Sequence, residues 1–420
     1  MSREDATGDL GERLIESTDL SLDRLGVTQG DEVSILTDTG TEAEVWRAFF
    51  DRTQARGASP TLVLMTTRSA NGLEPTPGAA KAVTEANVVL ALTNASATHT
   101  KALKAAAQGG AKVCSLPGIS TDIMTAAVMR PDYGEMQSLA DRLSEIFAPA
   151  KEMRITSAAG TDLRIGMGGW DRMPMADDGT FWPGMIANLP AGEVLIVPWE
   201  GDSDGVVVID LAVSCYPHPL DEPVRIRFKD GAVSDVEGSE EPARRIVDLL
   251  NENGDTAGNN AEIALGINPH ARNTGVLIET EKQFGTSHIG IGNSSNLGGN
   301  VWAPIHIDVI FDRPTVVVDG REIVKDLVFN QAALDKESYR QMAPMGRASL
   351  RSSDFHVSDG QLFARWKDIQ GRERVSQVGD PETAMRAAQL LSRLQQGEAS
   401  LGEDDLRVAA VMALYGVVDA

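Results

Sequence analysis

Pro304-Ile305-His306-Ile307-Asp308-Val309-Ile310 is an apolar run with two polar side chains set into it one residue apart. Isoleucine and valine at this density read as a β-strand, in which successive side chains point to opposite faces. His306 and Asp308 therefore share a face. An imidazole and a carboxylate side by side are two of the donors that a catalytic Zn²⁺, Co²⁺, Mn²⁺ or Fe²⁺ site uses. Alone, a His-x-Asp pair in a strand is more often a plain hydrogen-bonded pair. Its surroundings change that reading: Glu262 opens the apolar run Ile263 to Ile267, and His288 sits in Thr286-Ser287-His288-Ile289-Gly290-Ile291-Gly292. Ligand-type side chains that recur among residues destined for burial are costly unless an ion compensates them.

Further matching stretches are Asn188-Leu189-Pro190-Ala191-Gly192-Glu193-Val194, Ala261 to Pro269, Glu281-Lys282 and Val318-Asp319-Gly320. In this order they resemble the thermophilic metallo-aminopeptidase family of the aminopeptidase T and aminopeptidase S type, with its distant offshoot, the 2,5-dihydroxypyridine dioxygenases that use non-haem iron. The resemblance covers the middle of the chain, reaches the first 150 residues only in general character and fades after about Lys325. It implies that Glu193, Glu262, His288, His306 and Asp308 are metal ligands. Three carboxylates and two imidazoles are too many for one tetrahedral ion but suit two divalent ions, Zn, Co or Mn, about 3.5–4 Å apart with one carboxylate bridging. Glu281 matches an acidic residue near the family's metal centre and is the candidate general base, with an exposed ion pair to Lys282 as the other reading. The chain departs from the family in two places. Ser295 stands nearest to where the peptidases carry a tyrosine, which removes a phenolic donor for an oxyanion. His270 lies one place from where the dioxygenases are expected to carry a histidine, so it is a further imidazole able to shift into the site.

Two enzyme functions follow, with a metal-free binding protein as a third. In the first, metal-activated water hydrolyses an amide or peptide bond and a carboxylate passes the proton to the leaving amine. In the second, a single Fe(II) held by His288, His306 and Asp308 leaves positions for a hydroxylated aromatic or pyridine substrate and O₂. Hydrolysis is the preferred expectation, because a mononuclear iron has no use for Glu193 and Glu262 as ligands.

The rest of the sequence sets outer limits. The chain has 420 residues, with 38 basic against 61 acidic side chains for a formal charge of −23. Such a charge repels phosphate backbones and anionic membrane surfaces, so neither nucleic acid nor a membrane is an expected partner. A peptide or small molecule is the expected substrate, and a homodimer the expected assembly. No signal peptide or membrane span is legible, which leads to a cytoplasmic expectation. Cys114 and Cys215 read as separate reduced thiols.

Apolar strands alternate with helical patterns up to residue 150: Glu32 to Leu36, Thr61 to Met65, Asn87 to Leu92 and Lys112 to Leu116, with helices near Glu42 to Gln54, Gly78 to Glu85, His99 to Gln108, Ile123 to Met129 and Glu135 to Phe147. That alternation predicts a parallel sheet flanked by helices. Its turns carry neither G-x-G-x-x-G nor a P-loop, so a nucleotide site is not expected. Thr93 to His99 follows the third strand, where it could set polar groups at the rim of a cleft, and His99 itself reads as a residue near a helix start more than as a ligand. After Ala148-Pro149-Ala150 the character turns to valine- and isoleucine-rich strands, Asp162 to Gly166, Glu193 to Val197, Val206 to Val213, Val224 to Phe228 and Ala232 to Glu237. The segments Gly166 to Trp170 and Asp177 to Gly179 read as loops, and Trp170, Phe181 and Trp182 either line an apolar pocket or simply pack. The expected class is α/β: an N-terminal parallel α/β domain over residues 1–150, a β-rich α+β metal-binding domain over 151–328 and a C-terminal α+β appendage over 329–420. Within the appendage, Asn330 to Met342, Pro381 to Gln396 and Asp404 to Tyr415 show helical periodicity, and Ser358-Asp359-Gly360 marks a hairpin.

Overall fold

The computed structural model describes residues 3–334 apart from 70, 170, 171, 173, 217, 239, 240 and 296, together with three strands between 355 and 379. Two compact units result: Met1–Gly168 with Arg172–Leu334, and Gly169–Asp171 with Asp335–Ala420.

The first unit opens on a long helix, α1 (Arg3–Arg24), and then alternates strand and helix: β1 (Glu32–Asp38), α2 (Ala43–Ala55), β2 (Ser59–Met65), α3 (Pro77–Val83), β3 (Val88–Leu92), α4 (Lys101–Gln108), β4 (Lys112–Ser115), α5 (Thr121–Thr125) and α6 (Tyr133–Phe147). The strands pair in parallel in the order β2-β1-β3-β4. All five residues of β3 are buried, as a strand covered on both faces requires. Leu36, Val89, Ala91, Leu103, Ala106 and Val113 form part of the core between this sheet and α3 and α4. The fifth strand comes from beyond residue 150: β8 (Ile186–Asn188) pairs in parallel with β4.

Two antiparallel sheets fill the remainder of this unit. One contains β5 (Glu152–Thr156), β6 (Asp162–Gly166), β10 (Ser203–Ile209), β12 (Val224–Lys229), β13 (Ala232–Glu237), β17 (Thr315–Val318), β18 (Arg321–Lys325) and β19 (Val328–Phe329). The other contains β7 (Met175–Asp177), β9 (Glu193–Ile196), β11 (Ala212–Val213), β14 (Asn260–Gly266), β15 (Ser287–Gly292) and β16 (His306–Phe311), in the order β11-β16-β15-β14-β9-β7. Helix α7 (Glu241–Glu252) follows β13, and the single turn α8 (Leu277–Thr280) lies between β14 and β15. The architecture is α/β, as the alternation predicts. Asp177, read from sequence as a loop residue, instead lies in β7 opposite Glu193 of β9.

In the second unit, β20 (Phe355–Ser358), β21 (Gln361–Lys367) and β22 (Glu373–Gly379) form an antiparallel sheet, and β20 and β21 make the hairpin predicted around Ser358-Asp359-Gly360. Of the helix predicted over Asn330 to Met342, residues 330–334 form a turn and the rest lies outside the described residues, as do the helices predicted over 381–396 and 404–415 and Trp170.

Candidate metal centre

Four neighbouring strands of the six-stranded sheet, β9, β14, β15 and β16, each contribute at least one of the five candidate ligands. Register puts them on one face. Gly290 of β15 lies opposite both Glu262 of β14 and Asp308 of β16, His306 lies opposite Gly292, His288 opposite Ala264, and Glu193 opposite Gly266. Each carboxylate or imidazole thus faces a glycine or an alanine on one side of the ladder, while Glu193 has Asp177 and His288 has Ile310 on the other. The small residues leave the volume that the polar side chains fill.

At Gly290 the reason is explicit. A Cβ added there would lie 2.6 Å from His306 Nε2 and 2.8 Å from Glu262 Cβ. At Gly266 a Cβ would lie 2.0 Å from the Gln283 carbonyl oxygen, so this glycine lets the segment carrying Glu281 and Lys282 run directly against β14.

Among the described residues the donor atoms gather in two groups, Glu193 with Glu262 and His288, and Glu262 with His306 and Asp308. Glu262 belongs to both. Its Oε1 lies 3.4 Å from His288 Nε2 and its Oε2 lies 3.2 Å from His306 Nε2. His306 Nε2 is also 3.0 Å from Asp308 Oδ1, and its Nδ1 is 2.9 Å from the carbonyl oxygen of Asn293. That carbonyl can only accept, so Nδ1 carries a proton; Nε2 donates to the carboxylates when the ring is protonated and would offer its lone pair to an ion when it is not. The group Glu193, Glu262 and His288 is buried, whereas His306 and Asp308 keep 16% and 14% of their side-chain surface open.

The electrostatics are those of a site that wants positive charge. Burial by itself would hold His288 neutral, but Glu262, Glu193 and Glu281 outweigh it and raise the imidazole to about 9. Burial likewise opposes charge on His306, and Asp308 and Glu262 overcome it to push that imidazole well up. Glu262 is correspondingly held low: burial works against its ionised form, but the hydrogen bonds from His288 and His306 prevail. Glu193 Oε2 is buried and accepts no hydrogen bond, with His288 Nε2 3.4 Å away. An unsatisfied carboxylate oxygen beside imidazole nitrogens of this kind fits a divalent cation.

Glu281, at the C-terminal cap of α8, is buried, and its Oε1 lies 3.1 Å from Lys282 Nζ. The ion pair read from sequence as exposed is therefore internal. Burial lifts Glu281 to about 8, Lys282 pulls it back down, and Glu193 and Asp308 add to the rise. His270 is exposed in the turn after β14 and belongs to neither donor group, so it does not supply the third imidazole. The buried residue at that turn is Asn268, whose Nδ2 donates to the carbonyl oxygens of Val128 and Ala191. Ser295 is exposed, with its hydroxyl on Asn293 Oδ1. Phe181 is buried and Trp182 exposed.

Three residues enter the centre unannounced by the sequence. Lys282 is fully buried between Asp177, Glu193 and Glu281, and Asp177 is drawn in with it. His99, in the loop leaving β3, stands with its ring centroid 6.0 Å from that of His306. Crowding by the surrounding protein and the nearby His306 imidazole both disfavour its charged form; the ring keeps open surface, which moderates the first effect. Only the apolar run before His99 hinted at its place, since loops at the C-terminal ends of parallel strands form crevices.

Fold and donor set together define an enzyme scaffold of the α/β class with a candidate metal centre. Residues 13–331 match the model of the 2,5-dihydroxypyridine 5,6-dioxygenase family, well over half of the chain, and the chain belongs to that family. Among solved structures it is similar to 2,5-dihydroxypyridine dioxygenase from Pseudomonas putida KT2440, at 17% identity and a TM-score of 0.67, covering 78% of this chain and 99% of that one. It is similar also to wild-type AmpT from Thermus thermophilus, an aminopeptidase, at 16% identity and a TM-score of 0.58, covering 76% and 99%. No curated protein matches it.

Proposed function

We propose that the chain is a metal-dependent hydrolase of amide or peptide bonds whose two divalent ions, Zn, Co or Mn, share Glu262. One observation carries the reading: the two oxygens of that carboxylate face different histidines, each histidine with a further carboxylate beside it. A single ion would draw both imidazoles to one side. Glu193, Glu262 and His288 would hold one ion, and Glu262, His306 and Asp308 the other. When bound, such ions polarise a carbonyl and bring the pKa of water to ~7.

The chain's own groups then have distinct tasks. His306 and Asp308 form the more open half, so the scissile carbonyl approaches there. Glu281, buried beside Lys282 and raised by that burial, is the group placed to take a proton and return it to the leaving amine. His99, kept uncharged, offers a hydrogen bond on the open side beside His306. With the family's tyrosine replaced by an exposed serine, the expected activity is narrow, on one small dedicated substrate more than on many N-terminal residues.

Family membership favours a second reading, a single-Fe(II) dioxygenase that cleaves a hydroxylated aromatic or pyridine ring. His288, His306 and Asp308, the expected iron triad, do not gather as one group; the group with His306 and Asp308 has a carboxylate, Glu262, as its third member. Elemental analysis of the purified protein, paired with two assays, separates the readings. About two ions per chain and amine release from aminoacyl amides with Co²⁺ or Zn²⁺ are expected. One iron per chain with oxygen uptake on 2,5-dihydroxypyridine would replace the hydrolase by the dioxygenase, and a protein that takes up no metal would exclude both.

A further inference from the structure

Lys282 is a lysine without solvent. It is fully buried, and its ammonium lies 2.5 Å from Glu193 Oε1, 3.1 Å from Glu281 Oε1 and 3.2 Å from Asp177 Oδ2. An ammonium has three protons to donate and here meets three carboxylates. Its backbone is fixed as firmly: its amide donates to the Glu279 carbonyl oxygen, and its carbonyl accepts from the Asn268 amide. Gly266 makes this approach to β14 possible, because a Cβ there would meet the Lys282 carbonyl carbon at 2.8 Å. Burying an ammonium this deeply costs several kcal/mol unless its partners compensate, so the position is built for something.

We propose that Lys282 is the positioning residue for Glu193: it occupies Oε1 and thereby presents Oε2 alone to the metal centre, making Glu193 a one-oxygen ligand with a fixed rotamer. The two oxygens differ in this way. Oε1 carries the short contact to Nζ; Oε2 is buried, accepts no hydrogen bond and faces His288 Nε2 at 3.4 Å. Glu262 has no such internal cation. Both of its oxygens face histidines, as a shared ligand needs. The lysine thus distinguishes a bridging carboxylate from a terminal one in a site that contains both. Lys282 also holds Asp177 and Glu281 apart from Glu193, limiting the repulsion among three buried carboxylates.

This inference rests on Glu193 being a metal ligand in the reading above. Groups that orient a ligand typically change metal affinity by about 10–100-fold when removed. The test is calorimetric titration of metal-stripped protein with Zn²⁺, on wild type, Glu193→Gln, Lys282→Met and the double variant, with bound metal counted by elemental analysis. Expected is one binding step weakened by about 10–100-fold in Lys282→Met, the same step weakened in Glu193→Gln, and a double variant no worse than Glu193→Gln. If wild type binds two ions and Lys282→Met weakens neither step, the positioning role is overturned while the two-ion reading stands. If wild type binds one ion that both single variants weaken, the two-ion reading fails and the positioning role stands. If wild type binds one ion and neither variant weakens it, both are overturned. Should Lys282→Met not fold, Lys282→Arg keeps the charge but replaces a point donor with a planar fork; it is expected to weaken the same step, and unchanged affinity would overturn the proposal.

Discussion

Gly290→Ala tests the geometry of the centre with a single methyl group. Gly290 lies in the middle of β15, in ordinary strand conformation, so its backbone can take alanine without a dihedral penalty. The obstruction is local: the new Cβ would fall 2.6 Å from His306 Nε2 and 2.7 Å from its Cε1, where ordinary contact begins at 3.4 Å. The His306 ring must retreat by about 0.8 Å, whereas metal–ligand distances hold within ~0.2 Å. Nε2 is the atom that the Asn293 carbonyl leaves free as a donor, so its displacement removes His306 from the ligand set. Overpacking of this size costs about 1–3 kcal/mol of stability, too little to unfold most domains of this size. The expected outcome is a folded protein that loses the ion of the Glu262, His306 and Asp308 group and loses activity by orders of magnitude. Circular dichroism melts check the fold and elemental analysis checks the ion. A Gly290→Ala protein with its full metal complement and normal turnover would refute the assignment of His306 Nε2.

Other substitutions follow the same map. Glu262→Gln is expected to lose both ions, since the shared carboxylate serves both groups, and elemental analysis retaining two would refute the sharing. His306→Ala and Asp308→Ala are each expected to lower kcat by orders of magnitude with the melting temperature little changed, whereas Glu193→Ala is expected to abolish a two-ion hydrolase and spare a single-iron enzyme. The metal-free protein is expected to lose stability as pH rises. His288 is raised to about 9, Glu281 to about 8 and Asp177 to about 7, each above its unfolded value. The stability each contributes is full below its unfolded pKa and disappears as pH rises through the folded one, so melting temperature measured with chelator is expected to fall from about pH 4, where Asp177 and Glu281 begin to lose theirs, to about pH 9, where His288 has lost its own. At about 1.4 kcal/mol per pKa unit, His288 alone carries on the order of 3 kcal/mol of this. Saturating Zn²⁺ is expected to flatten the trend.

The sequence was most legible where periodicity was strong. Strands β1 to β4 fall within a residue or two of the runs read from the apolar pattern, because β1, β3 and β4 are buried on both faces and the edge strand β2 still carries an apolar run. Strands β7 and β8, three residues each, have no period to read; they are strands because β9 and β4 offer them an edge. The five ligand candidates were legible because polar side chains in apolar strands are conspicuous. Lys282 was not, since Glu-Lys in sequence looks like any solvated surface pair, and its burial depends on the segment after α8 running against Gly266. His99 was missed for a similar reason: its partner, His306, is more than two hundred residues away, and nothing local marks the encounter.

The two halves of the centre are unequal, and the sheet explains why. β14 and β15 are interior strands, and Glu193, Glu262 and His288 on and beside them are sealed from solvent. β16 has only the two-residue β11 on its far side, and its His306 and Asp308 remain partly open. An ion held in the sealed half by Glu193, Glu262 and His288 would serve to fix Glu262 and charge the site. Chemistry on an incoming molecule belongs at the His306 end. That end is also where the loop after β3 delivers His99, so the parallel sheet contributes a residue beside the centre as well as support beneath it. Substrate selection should then respond to changes in the loop between Leu92 and Lys101, while metal retention should respond to the four strands.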